Sequence, residues 1–132
     1  MAGGDEWQIR LPMQVRWNDF DRYGHLNHAI YHVFLAEGRL ALMESLLGGD
    51  TMEFVLVRVE LDYRREVSPT AELVVVVARI ADTGRTSVTV EQQLQLENGT
   101  VSAEGMSVVV AWDGQARAAR ALSDGERAAL GQ

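Results

Sequence analysis

One long helical pattern stands in a chain that otherwise alternates with period two. From near Asn27 or His28, apolar residues recur at spacings of four and three: Ala29, Val33, Ala36, Leu40, Met43 and Leu47. Ile30, Phe34 and Ala41 widen the stripe, and Gly48-Gly49 ends it. So wide a stripe predicts a helix that is largely embedded. Gly38 sits mid-helix, where glycine costs about 1 kcal/mol relative to alanine, and predicts close approach to another backbone.

Strands surround that helix. Trp7, Ile9, Leu11, Met13, Val15 and Trp17 alternate with mainly polar residues, which predicts a strand with one buried face. Pro12 on the polar face marks an edge position or an irregularity. Four long strands follow the helix. Val55, Val57, Val59, Leu61 and Tyr63 alternate with Leu56, Arg58, Glu60, Asp62 and Arg64. After Ser68-Pro69, residues 73–81 read LVVVVARIA, apolar on both faces, as in a central strand. Asp82-Thr83-Gly84 turns the chain into a strand in which Val88, Val90, Leu94 and Leu96 lie on one face. Asn98-Gly99 is a hairpin signal before a last strand over about 100–112. The tail, about 118–132, reads as a short helix with a Ser123/Glu126 capping box.

This order predicts one α+β domain over residues 1–132: a five-stranded antiparallel sheet wrapped around one long helix. One helix covers such a sheet incompletely, so a symmetric partner is expected, as a homodimer or homotetramer. The net charge of −7 disfavours nucleic acid, since phosphate binding needs a positive field. All the basic residues are arginine, so any phosphate contact would use guanidinium groups or backbone amides. Cysteine is absent, which fits a reducing compartment. No apolar run is long enough to span a bilayer, and MAGGDEWQIRLPMQ lacks a signal core, with Asp5 and Glu6 against a transit peptide. These features predict a cytoplasmic protein without a membrane partner.

The chemistry concentrates in WNDFDRYGHLNHAIYHVFLAEGR, residues 17–39, which holds all three histidines. A helix N-terminus offers free N–H groups and partial positive charge, suited to an anion or a developing oxyanion. Asp21 lies just before it, across a turn using Gly24, so its carboxylate and the helix-end amides can face one pocket. A carboxylate there can activate water or attack as a nucleophile. His25 and His28 are candidates to assist proton transfer, and Asn27 to cap the helix or bind water. Asp19 reads as a loop-organising hydrogen-bonding residue. Tyr31 and Phe34 fall at core spacing. His28 and His32 stand one turn apart, but the glutamate of H-E-x-x-H and any cysteine are missing, so no metal site is predicted.

The run D-F-D-R-Y-G-H-L-N-H-A-I-Y, residues 19–31, resembles the D-x-D-x-x-G-x-x-x-x-x-x-Y signature of hotdog-fold acyl-CoA thioesterases, the group that includes 4-hydroxybenzoyl-CoA thioesterase. Glu37 and Arg39 resemble that family's helix ending, and Glu37 is also a candidate partner for Arg39 or a neighbouring strand. The derived strand order agrees with a hotdog domain. The resemblance implies that Asp21 is the catalytic carboxylate and that His28 donates its backbone N–H to the thioester carbonyl. Its imidazole either joins the chemistry or fills space. The pair His25 and Asn27 is similar to one in plant acyl-carrier-protein thioesterases. Gly24, His25, Asn27 and Tyr31 are thereby candidate substrate contacts. The segment TGRTS, which contains Arg85, is similar to a family G-x-S-S segment near the cofactor. Arg65 and Arg85 are accordingly candidates for coenzyme A phosphates.

The implied activity is hydrolysis of an acyl-CoA to free acid and CoA, with no metal or redox cofactor and the acyl chain held between subunits. Three alternatives keep the fold. In the first, the acyl group arrives on an acyl carrier protein. In the second, the reaction is enoyl-thioester hydration, although DRYGHLNH replaces that branch's D-x-N-P-x-H motif. In the third, the chain binds acyl-CoA without catalysis.

Overall fold

The computed structural model describes residues 6–48 and 53–131. Asp5 of the N-terminal reading and Gly49 of the helix-ending pair lie outside them. The elements run β1 (Ile9–Gln14), α1 (His28–Leu47), β2 (Phe54–Tyr63), β3 (Leu73–Thr83), β4 (Ser87–Leu96), β5 (Val101–Asp113), β6 (Ala118–Ala119) and α2 (Asp124–Ala129). Five strands pair antiparallel in the order β1-β3-β4-β5-β2. Helix α1 lies on one face, against β1, β3 and β4. This is the expected α+β arrangement of one long helix on an antiparallel sheet. No helix of the described residues is long and apolar enough to cross a membrane.

Local signals place the element ends. Asn27 caps α1 through its side chain, and Gly48 ends it at φ +74°, a conformation glycine adopts without a Cβ penalty. Ser123 and Glu126 form the capping box of α2. Helix covers only Asp124–Ala129 of the stretch read as a helical tail. Ala118–Ala119 instead pair with the end of β5. Pro12 lies on the edge strand β1, opposite Val75, and β3 is interior between β1 and β4.

Three details differ from the sequence reading. First, α1 is rotated. Its buried face is Tyr31, Phe34, Leu35, Gly38, Leu42 and Met43, while Val33 and Leu40 are 50% and 51% exposed and Ala29 and Ala36 face outward. The chosen face carries the larger side chains, and each large apolar side chain contributes about 1.5–3 kcal/mol on full burial. Second, Trp17 is 88% exposed, because β1 stops at Gln14 and a 3-10 turn at Trp17–Asp19 redirects the chain. Third, β2 carries a bulge between Leu56 and Arg58. It shifts the pleat, so that Leu56 opposite Val109 shares a face with Val59, Leu61 and Tyr63 and not with Val55, while Val57 falls in the bulge itself.

The core has two parts. One, around the start of α1, contains Tyr31, Phe34, Leu35, Val67, Val76 and Leu94. The other, around its end, contains Leu42, Met43, Val88, Val90, Val109 and Leu130. Polar groups lie between them. Arg39 donates to Gln92 Oε1 at 3.2 Å and Ser107 Oγ at 3.1 Å, and Gln92 Nε2 donates to the Leu35 carbonyl at 2.8 Å. Arg39 thus partners the strands, not the exposed Glu37. Gly38 is needed here: a Cβ would collide with Val76 Cγ1 and come within 3.2 Å of Gln92 Nε2. The close approach is to side chains on β3 and β4 rather than to a backbone.

Candidate active site

The loop before α1 is organised by two aspartates with different jobs. Asp19 is 2% exposed. Its carboxylate accepts from the Arg16 N–H at 2.8 Å and the Arg16 guanidinium at 3.2 Å, and its carbonyl accepts the Asn27 N–H at 2.9 Å. This ties the loop's entry to the helix start. Asp21 is exposed and sits at the head of a turn. Its N–H donates to the His25 carbonyl at 2.8 Å, and its carbonyl accepts from Gly24 at 3.0 Å. Gly24 takes φ +79°, and a Cβ there would meet Pro69 Cγ at 3.2 Å, so both backbone and space favour glycine.

The Asp21 carboxylate accepts two backbone N–H groups on Oδ1, from Tyr23 at 2.9 Å and His25 at 3.0 Å. No donor among the described residues reaches Oδ2. The His25 N–H is the main cause that holds the carboxyl below its ordinary 3.8, with the Tyr23 N–H and the nearby His25 and His28 rings adding to it against a smaller opposing effect of desolvation. Asp21 is therefore ionised at neutral pH.

The first turn of α1 leaves one donor open. Asn27 Oδ1 accepts the Ala29 N–H at 2.9 Å, and the Asn27 carbonyl accepts those of Ile30 at 2.9 Å and Tyr31 at 3.4 Å. The Asn27 N–H itself goes to Asp19. Among the described residues, no acceptor takes the His28 N–H. It is a donor at the positive end of the helix macrodipole that the cap does not consume.

Beside that donor lies a cavity of about 250 Å³ whose lining includes His25, Leu26, His28, Tyr31, Tyr63 and Arg65. Aromatic rings build its wall. The His28 imidazole stacks on Tyr63 with centroids 4.7 Å apart, and Tyr63 meets Tyr31 edge-on at 5.0 Å. The Tyr31 hydroxyl shares a 2.9 Å hydrogen bond with Ser102 Oγ, which donates to the Arg65 carbonyl at 2.7 Å. Burial pushes the Tyr31 phenol up, partly offset by Ser102. Arg64 is engaged by Glu104 at 3.1 Å and Asp62 at 3.6 Å. Among the described residues no carboxylate pairs with Arg65.

Of the residues singled out in the sequence, His25, His28, Tyr31 and Arg65 line this cavity. Asp21 adjoins it through His25, Gly24 shapes the turn, and Asn27 caps the helix. Arg85 is elsewhere. It lies two residues before Ser87, which pairs with Val110, whereas the Arg65 N–H donates to the Ser102 carbonyl at 3.1 Å. Those two β5 positions are eight residues apart, about 27 Å in an extended strand. Within one chain, Arg65 and Arg85 therefore do not form a set. Tyr63, Ser102 and Val67 were not singled out. Tyr63 had only its place at the end of an alternating face as a signal. His32 is exposed one turn beyond His28, and no three His, Asp or Glu residues converge among the described residues.

The thioesterase-like superfamily model matches residues 15–130. A thioesterase from Thermus thermophilus, solved with coenzyme A and Zn, is 27% identical, with a TM-score of 0.82 over 94% of this chain and 98% of that one. A thioesterase superfamily protein from Jannaschia sp. CCS1 is 26% identical, with a TM-score of 0.82 over 96% and 82%. A probable thioesterase from Escherichia coli is 26% identical, with a TM-score of 0.79 over 93% and 96%. A search among curated proteins returns no match.

Proposed function

The chain belongs to the thioesterase-like superfamily and is a thioester hydrolase, and from that premise we propose that it cleaves an acyl-CoA to free acid and CoA with Asp21 and the His28 N–H. One observation carries the reading: the single unclaimed donor of the α1 first turn borders a cavity next to an ionised, exposed carboxylate. The thioester carbonyl sits at the His28 N–H. The charge that grows on its oxygen is met by that donor and by the positive end of the helix, the kind of fixed dipole that stabilises an oxyanion most effectively.

Asp21 supplies the second half. As a nucleophile, it attacks the carbonyl carbon, the C–S bond breaks, CoA leaves as thiolate, and water then hydrolyses the acyl-aspartyl anhydride. As a general base, it takes a proton from water as the oxygen adds to the carbonyl, and collapse of the tetrahedral species expels the thiolate. Both routes need the ionised carboxylate that the His25 and Tyr23 N–H groups favour. Neither uses a metal or redox cofactor.

Coenzyme A as the carrier is supported by the Thermus thermophilus neighbour, which was solved with it. The Arg65 guanidinium, without a carboxylate partner among the described residues, is suited to its phosphates. A homo-oligomer is supported by apolar surface left open on β2 and α1: Leu56, Val57 and Val59 are 46%, 57% and 37% exposed, beside Val33 and Leu40. A second copy covers that surface and completes the acyl site. A cytoplasmic location is supported by the absence of cysteine, which fits a reducing compartment.

The test is Asp21→Asn assayed for thiol release across short, long and aromatic acyl-CoAs. The variant keeps its fold by circular dichroism and loses at least about 10²-fold in kcat, the low end for a positioned acid–base group. Turnover near the wild-type rate removes Asp21 from the mechanism.

A further inference from the structure

Tyr63 has no part in the reaction as proposed, yet it is the ring that joins the other two. It stacks on His28 with planes 23° from parallel and centroids 4.7 Å apart. It meets Tyr31 at 88° and 5.0 Å, while His28 and Tyr31 are 6.5 Å apart. Tyr31 is the fixed end of this series: it is 4% exposed and its hydroxyl is held by Ser102. His28 is the loose end, an exposed side chain on the first residue of the helix. An unrestrained exposed side chain changes rotamer on the picosecond-to-nanosecond scale. Such motion would sweep the imidazole across the N–H of its own residue.

We propose that Tyr63 is a positioning residue that locks the His28 imidazole to one side of the α1 N-terminus, so that the His28 N–H stays open to the thioester carbonyl. The proposal rests on the reading of His28 as the carbonyl donor. The lock works through ring faces. No hydrogen bond among the described residues uses the Tyr63 hydroxyl, so a phenyl ring serves as well as a phenol. The anchoring runs across sequence from Ser102 through Tyr31 and Tyr63 to His28 and holds an imidazole that no hydrogen bond among the described residues restrains. Misplacement of a reacting group by about 1 Å can cost about 10²-fold in rate, which gives such a lock something to protect.

The experiment places Tyr63→Leu and Tyr63→Phe in the wild-type and His28→Ala backgrounds, with steady-state kinetics on an acyl-CoA that the wild type hydrolyses. NMR of the His28 ring protons is recorded on the same proteins. In the wild-type background, Tyr63→Leu lowers kcat about tenfold with KM nearly unchanged, within the range of couplings between contacting residues. Tyr63→Phe restores most of that loss. The His28 ring protons lie upfield in the wild type and in Tyr63→Phe and return toward solvent positions in Tyr63→Leu. In His28→Ala, where there is no imidazole to hold, Tyr63→Leu costs less than about twofold.

Equal losses in both backgrounds would assign Tyr63 to packing through Tyr31 and overturn the proposal. So would a Phe variant no better than Leu, a change confined to KM, or His28 ring protons without an upfield shift in the wild type. Retained activity in Asp21→Asn would instead overturn the assignment of Asp21 and leave the ring-proton and background comparisons to decide Tyr63.

Discussion

Two substitutions at His28 separate its backbone from its side chain. His28→Ala removes the imidazole and keeps the N–H. His28→Pro removes both. The fold should tolerate the proline, for reasons visible at the residue. His28 is the first residue of α1, the helical position where proline is favoured because its missing N–H would have no intrahelical partner. The His28 N–H has no acceptor among the described residues, so no hydrogen bond is lost. Proline also restricts the residue before it to extended ψ of about 120–160°, and Asn27 already sits at φ −58°, ψ 131°. The two variants should therefore agree in stability within about 0.5 kcal/mol, as for substitutions that touch no special feature.

Activity should separate them widely. Loss of one oxyanion donor costs about 10²–10³ in kcat, or about 2.7–4 kcal/mol of transition-state stabilisation. Thiol release from an acyl-CoA, with a thermal melt on the same samples, gives both numbers. His28→Pro should melt with His28→Ala and turn over at least about 10²-fold more slowly. Equal rates in the two variants would mean that the open N–H does not meet the carbonyl. The reasoning from the unclaimed donor would then be wrong, whatever Asp21 does.

Two further outcomes follow from the surface and from the loop. Val57→Glu puts a charge on the most exposed apolar residue of β2, so the mutant should sediment as a smaller species than the wild type; a wild type that is already monomeric at micromolar concentration, or a mutant of unchanged mass, would refute the open apolar surface of β2 as a self-association surface. For Asp21, the folded-state pKa is lowered, so the contribution of its two N–H bonds is fully present above the ordinary 3.8 and is lost as pH falls through the folded value. The carboxyl carbon of Asp21, followed by NMR on acidification, should titrate with a midpoint below 3.8, and a midpoint above it would contradict the backbone bonds as the cause.

The sequence by itself determined whatever depends on neighbours within a few residues. The start of α1 at His28 and its Asn27 cap, the Gly48 end, the Ser123/Glu126 box and the hairpin near Asn98-Gly99 are set by spacings of four residues or fewer. The turn that joins Asp21 to Gly24 and His25 is of the same kind, so its position before the helix was readable in the loop. Tertiary structure decided whatever depends on pairing across the chain. Two apolar lines run along α1, and only contact with β1, β3 and β4 selected the one through Phe34, Leu35 and Leu42. The bulge after Leu56 is visible only against β5, and it decides which β2 residues share a face. Tyr63 reaches His28 across 35 positions and Tyr31 reaches Ser102 across 71, so no local pattern could announce either contact. Arg65 and Arg85 looked alike as strand-end cations until the sheet register put them at opposite ends. Periodicity and capping are backbone properties that a short window contains, whereas a register is a relation between windows, and the site's wall is made of registers.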